Sequence, residues 1–154
     1  MSMADSVHRI ELTMERLARM VHSRKGAAER SARAGLSLSG SAQQVLRAVI
    51  DHAPVRISDL ARATHSSDAA VSRQVTALEA EGLVAREACA DDGRVARVRP
   101  TAAGKRAGRR LRVAADAIFL EQVSSWSAKD LALLAGLMER LGDDLGKGTP
   151  PPAL

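Results

Sequence analysis

Apolar residues at Val7, Ile10, Met14, Leu17 and Val21 recur at helical spacing, so the chain opens with an amphipathic helix. Asp5 or Ser6 can cap its start and Gly35 can stop it, which predicts one helix of close to 30 residues. Ser41 followed by Gln44 reads as a capping box for a second helix with Val45, Leu46, Val49 and Ile50 inward, ended by Pro54. Val55 to Ile57 is long enough only for a small strand. Ser58 then caps a helix containing Leu60 and Ala61, and Thr64 to Ser66 break it. Ser67 caps the next helix, whose Val71, Val75 and Leu78 point inward before Gly82 supplies a left-handed C-terminal position.

Leu83 to Cys89 and Arg94 to Arg99 are extended runs around the turn Ala90-Asp91-Asp92-Gly93. Two short helices followed by a hairpin predict a helix-turn-helix with a β-wing. Thr101 caps a further long helix with Leu111, Ala115, Ile118 and Val123 on one face. Ser127 with Asp130 opens the last helix, which carries Leu131, Leu134, Met138 and Leu141. The expected fold is mainly α, a winged helix-turn-helix of helices plus a small β-hairpin wing, with N- and C-terminal helices forming a dimerisation region. The expected divisions are an N-terminal dimerisation helix (1–39), a winged DNA-binding lobe (40–104), C-terminal dimerisation helices (105–145) and a flexible Gly- and Pro-rich tail (146–154). Three amphipathic helices without a closed set of partners call for a second copy of the chain.

Composition narrows the chemistry. The 154 residues suit one compact unit, and a second large catalytic domain is not expected. The net charge of +5 rests on 19 arginines and only four lysines, a bias that suits polyanion binding because a guanidinium makes forked contacts to phosphate or guanine. Phe119 and Trp126 are the only aromatic residues, too few for a platform that stacks single-stranded bases. Duplex DNA is the better polyanion.

Cys89 is the single cysteine, which excludes an intrachain disulfide framework and a zinc cage built from cysteines of one chain. His8, His22, His52 and His65 lack a paired ligand spacing, so no metal is expected. There is no Gly-rich phosphate loop and no Ser/His/Asp spacing that supports catalysis. No enzyme, catalytic residue or cofactor is indicated. No apolar run reaches the roughly 18 residues of a membrane span, and the first residues carry no signal-peptide pattern, so a cytoplasmic protein without a membrane partner is expected.

With Val71, Val75 and Leu78 inward, a helical wheel sends Arg73 almost directly outward, flanked by Ala69 and Thr76, with Ser72 and Ala77 at the sides. Arg73 is the best candidate for a guanine reader or phosphate anchor. The alternative is a solvated arginine paired within the helix to Glu79 or Asp68. Ala69, Ala70 and the Thr76 methyl can touch thymine methyls, or can be small only to allow close approach. The chain has no asparagine, so Gln74, on the flank, is the amide candidate for adenine.

Between Leu83 and Arg112 nine basic residues stand against Glu87, Asp91 and Asp92. Arg94 is placed at the turn to enter a minor groove, whereas Asp92 suits a structural pairing with Arg86 or Arg94. Arg97 and Arg99 share one strand face and suit phosphates. Lys105 to Arg112 read as the solvated face of an amphipathic helix. The candidate DNA-contact set is therefore Ser67, Ala69, Ala70, Ser72, Arg73, Gln74, Thr76, Arg94 and Arg97.

The order and spacing of Ala70-Val71-Ser72-Arg73, Leu78…Gly82-Leu83-Val84…Arg86, Asp92-Gly93-Arg94 and Thr101…Gly104 resemble the MarR family of winged helix-turn-helix transcriptional regulators, over nearly the full chain. That resemblance implies a triangular homodimer whose terminal helices dimerise and whose two winged lobes meet a pseudo-palindromic operator, often under control of a small ligand or an oxidant. Members of the family commonly carry two arginines after the wing aspartate; here Gly93 replaces the first, which eases the turn and removes one contact. Some relatives sense oxidants through a thiol, but no neighbouring cation or resolving cysteine lowers the pKa of Cys89, which favours an inert side chain. An effector cavity is expected between the winged lobe and the dimer helices, with Arg16, His22 and His52 as candidate linings and no assigned ligand. The function expected is a homodimeric, sequence-specific repressor released by a small-molecule effector. A protein-interaction winged helix and a non-specific architectural DNA binder are the alternatives.

Overall fold

In the computed structural model, residues 2–21, 23–88 and 96–146 are described. Ten elements follow in order: α1 (Met3–Val21), α2 (Arg24–Arg33), α3 (Gly40–His52), β1 (Val55–Arg56), α4 (Ile57–Ala63), α5 (Asp68–Ala80), β2 (Val84–Ala88), β3 (Ala96–Pro100), α6 (Ala102–Gln122) and α7 (Ala128–Gly146). The fold is mainly helical with a small antiparallel sheet, the winged helix-turn-helix expected from the pattern. The chain divides into two compact units at residues 115 and 116.

The first unit is built around α3, α5 and the sheet. Leu46, Leu60, Leu78, Val49, Val71, Val75, Val84 and Val98 are its fully buried side chains. They come from all of α3, α4, α5, β2 and β3, so helix-turn-helix and wing share one core. The strand order is β1-β3-β2, with Val55 opposite Val98 and Arg86 opposite Val98 on the other side. The two residues of β1 thus turn the expected hairpin into a three-stranded sheet. Its turn, residues 89–95, carries Cys89, Asp92, Gly93 and Arg94 and lies outside the described residues, as do His22 and residues 147–154.

The expected single first helix is two. Ser23 adopts an extended conformation and its hydroxyl accepts the Gly26 N–H, capping α2 and interrupting the helix. The apolar period had already ended at Val21. The start of α1 is set by Ser2, not by Asp5 or Ser6: the Ser2 hydroxyl accepts the Asp5 N–H while the Ser2 N–H donates to the Asp5 carboxylate. That backbone hydrogen bond, aided by the Ser2 hydroxyl, holds the Asp5 carboxyl below its usual pKa. Ser39, rather than Ser41, caps α3 through the Ala42 N–H. α4 begins at Ile57 after Arg56, with no side-chain cap, so Ser58 is inside the helix. Val123 follows the end of α6. Gly82, at φ +69°, takes the left-handed position expected of it, and Gly35, expected as a helix stop, is left-handed too at φ +62°.

A buried polar network ties α2 to α3. The Gln43 amide donates to the carbonyls of Ala27 and Leu38 at 2.8 and 3.0 Å, and its oxygen accepts from Arg30 Nε at 3.3 Å. Ser31 Oγ accepts the Leu38 N–H at 2.8 Å. These bonds satisfy the backbone of the loop between the two helices where water is excluded. From the start of α6, Gly104, Ala107, Leu111 and Ala114 face the same core.

α1 and α7 have no buried residue. Val7, Ile10, Met14, Leu17 and Val21 form an exposed apolar stripe along α1. In the second unit Leu133, Leu137, Met138 and Leu145 are exposed. Ser127 caps α7 as expected: its hydroxyl accepts the Asp130 N–H and donates to the Asp130 carboxylate. An open groove of about 520 Å³ in this unit is lined by Ser125, Trp126, Asp130, Leu133, Leu134 and Leu137. Among the described residues no helix is long and apolar enough to cross a membrane, and no cluster of His, Cys, Asp and Glu is placed to hold a metal.

Candidate nucleic-acid interface

The second helix of the helix-turn-helix is positioned by three local devices. His65, at φ 49°, turns the chain out of α4, and the Thr64 hydroxyl donates back to the Leu60 carbonyl at 2.8 Å. Ser67 then caps α5, its hydroxyl accepting the Ala70 N–H at 3.2 Å. Val71, Val75 and Leu78 fix the rotation of α5 by burial in the core. At the far end the Leu83 N–H donates to the Leu78 carbonyl at 2.9 Å, closing the helix around left-handed Gly82.

That rotation leaves Ala69, Arg73, Thr76, Ala77 and Ala80 exposed along the outer face. Ser72 and Gln74 are half-buried at its edges, as the wheel placed them, Ala70 is half-buried as well, and Ala77, expected at the side, is exposed. Of the outer-face residues only Arg73 and Thr76 carry polar side chains. Arg73 forms no hydrogen bond or ion pair among the described residues. Its expected alternative partner Glu79 is instead paired with Arg86 of β2 at 3.6 Å. The Thr76 hydroxyl is engaged, donating to the Ser72 carbonyl and accepting from Arg86 Nη2, both at 3.0 Å. What Thr76 offers outward is its methyl group.

The sheet presents a second basic surface. Arg97 stands opposite Arg56 on one side and Glu87 on the other, so these three share the face away from the core. Glu87 pairs with Arg99, one register step away, at 2.6 Å. Arg97 is half-buried and its Nε, fully shielded from solvent, has no hydrogen-bond partner among the described residues. Arg99 is therefore tied to a carboxylate, whereas Arg97 and Arg56 have none among the described residues. Lys105, Arg106, Arg109, Arg110 and Arg112 are all exposed on α6, and Arg110 donates to the Gly35 carbonyl at 3.4 Å. Arg16 and His52, expected as cavity linings, are both exposed.

Asp92, expected to pair with Arg86 or Arg94, lies outside the described residues, and the contacts of Arg86 within them were not legible in the sequence. Its actual partners lie on α5, seven to fourteen residues back, and only the packing of β2 against α5 brings them together.

The arrangement has known counterparts. The MarR family model matches residues 35–95, from just after α2 to just before β3. A MarR family protein from Bacillus stearothermophilus shares the fold with a TM-score of 0.77 at 14% identity, over 94% of this chain and 99% of that one. The transcriptional regulator BldR from Sulfolobus solfataricus is 25% identical, with a TM-score of 0.64 over 93% of this chain and 99% of its own. A probable transcriptional regulator from Pseudomonas aeruginosa is 26% identical, with a TM-score of 0.61 over 84% of this chain and 94% of its own. No curated protein sequence matches the chain. Residues 35–95 thus match the MarR family model, on a chain that shares the fold of a solved MarR family protein over 94% of its length.

Proposed function

We propose that the protein is a sequence-specific regulator that binds duplex DNA as a homodimer, α5 entering the major groove and the wing reaching the backbone or minor groove of each half-site. The observation that carries this reading is the outer face of α5, where Arg73 projects from a floor of alanines with its donors unused among the described residues. A helix with one long forked cation among small side chains fits deep into a groove and reads guanine there. Two relatives named as transcriptional regulators share the fold at about a quarter identity.

The dimer is supported by α1 and α7, which bury none of their apolar residues within one chain. Large exposed apolar stripes on a small protein mark an interface, and a symmetric pair is the simplest partner. The terminal helices, 1–39 and 105–145, are in this reading the dimerisation region and 40–104 the DNA-binding lobe. Repression, and release by a small molecule that changes the spacing of the two recognition helices, follow from the family resemblance. The cytoplasm is the compartment that this activity requires.

Selection of duplexes from a random pool by the purified protein tests the reading. The expected outcome is a pseudo-palindrome whose half-sites are centred about 10 bp, one helical turn, apart. A pool that stays random contradicts sequence-specific binding and leaves the non-specific architectural role. A single half-site without symmetry contradicts the dimer.

A further inference from the structure

We infer that Arg86 is a positioning residue that locks the recognition helix to the wing, so that base discrimination by α5 depends on a side chain that does not itself touch DNA. Its guanidinium meets three groups of α5: the Thr76 hydroxyl at 3.0 Å, the Ser72 carbonyl at 3.5 Å and the Glu79 carboxylate at 3.6 Å. The Arg86 backbone N–H also donates to the other Glu79 oxygen at 3.3 Å. Glu79 thus grips both the main chain and the side chain of one strand residue. Arg86 sits on the strand face that carries buried Val84, pointing toward α5.

Buried Val71, Val75 and Leu78 fix the rotation of α5 from its core side, which leaves its outer edge to be held against small rotations about the helix axis. The Arg86 bonds act from the rim of that contact, where the lever arm on such a rotation is longest. They hold the Ser72 to Thr76 turn, which contains Arg73, in fixed relation to β2. The wing and the recognition helix are thereby presented to DNA as one rigid surface, in the way that supporting hydrogen bonds preorganise a binding site.

This inference rests on the DNA-binding reading above, and its test separates the two. Wild type, Arg86→Met, Glu79→Gln and the double variant are titrated at several salt concentrations against a duplex selected by the wild type and against a scrambled one. If wild type does not discriminate the two duplexes, the functional reading itself fails. The expected result is a loss of discrimination of about tenfold in Arg86→Met, a smaller loss in Glu79→Gln, and a double variant no worse than Arg86→Met, because the Glu79 pair is one of the contacts that Arg86→Met already removes. The slope of log affinity against log salt stays that of wild type.

Glu79→Gln gives the decisive sign. Removing a negative charge near DNA strengthens binding if only charge matters, whereas loss of a positioning contact weakens discrimination. A salt slope reduced by about 0.9 in Arg86→Met would make Arg86 a phosphate contact and overturn the inference. Unchanged discrimination in Glu79→Gln would also overturn it. Circular dichroism melts of each variant, expected within a few degrees of wild type, show that the helix remains folded.

Discussion

Gly104→Ala lowers the stability of the winged unit by about 3 kcal/mol, although alanine is the better helix former by about 1 kcal/mol. A Cβ on residue 104 stands 1.9 Å from the Leu83 carbonyl oxygen and 2.9 Å from its carbon. Both are backbone atoms, so no side-chain rotation relieves the clash. Leu83 is itself held: its N–H donates to Leu78 and its carbonyl accepts the Thr101 N–H at 3.0 Å. The Thr101 hydroxyl donates to the Gly82 carbonyl at 2.7 Å and accepts the Gly104 N–H at 3.0 Å. The start of α6 is therefore clamped onto the junction between α5 and β2, and displacement of one breaks the bonds of the other. For a unit of this size the melting temperature falls by on the order of 10 °C, measured by differential scanning calorimetry. A variant as stable as wild type would show that the close approach does not exist.

Arg73→Ala weakens binding to the selected duplex by roughly 10- to 100-fold, the equivalent of about 1–3 kcal/mol for one bidentate guanine contact. Binding to a scrambled duplex changes far less. The selectivity follows from geometry. Arg73 is the outer-face residue of α5 whose polar atoms are uncommitted among the described residues, since Thr76 is bonded to Ser72 and Arg86. Anisotropy titrations of both duplexes check the prediction. Equal losses on the two, with a shallower salt dependence, would make Arg73 a phosphate anchor instead.

The parts of this molecule that were legible in the sequence are those where a local rule and a tertiary requirement agree. Val71, Val75 and Leu78 have helical spacing and are all buried, so the direction of Arg73 followed from a wheel. Ser67, Ser127, Gly35 and Gly82 do what their residue types favour. The failures arise where several residues compete for one role. Ser39 and Ser41 both suit a cap, and their hydroxyls lie 3.1 Å apart, but the backbone becomes helical at Gly40 and selects Ser39. The first helix was overextended because nothing in the apolar period marks Ser23 as a new beginning; only its extended backbone and its bond to Gly26 do.

Long-range pairings were the least legible. The position of Gly104 in the motif Thr101…Gly104 was recognisable, but not the carbonyl it approaches. The contacts of Arg86 with Glu79, Thr76 and Ser72 were not foreseen. Arg97 and Arg99 were expected to act alike, yet Glu87, which stands opposite Arg97 in the register, forms its ion pair diagonally with Arg99, and the Arg97 Nε has no partner among the described residues. Period-2 alternation fixes the face of a strand residue; which neighbour it meets depends on register, which no single strand encodes.

The most direct test of the central claim is the affinity of the wild-type protein for its selected duplex relative to a scrambled duplex of equal length, measured at physiological salt. A ratio of roughly 10³ or more is the expected result, because base reading by α5 adds to a charge term that both duplexes share. Equal weak binding, falling steeply with salt on both, would reduce the interaction to counterion release and contradict the reading of α5 as a recognition helix.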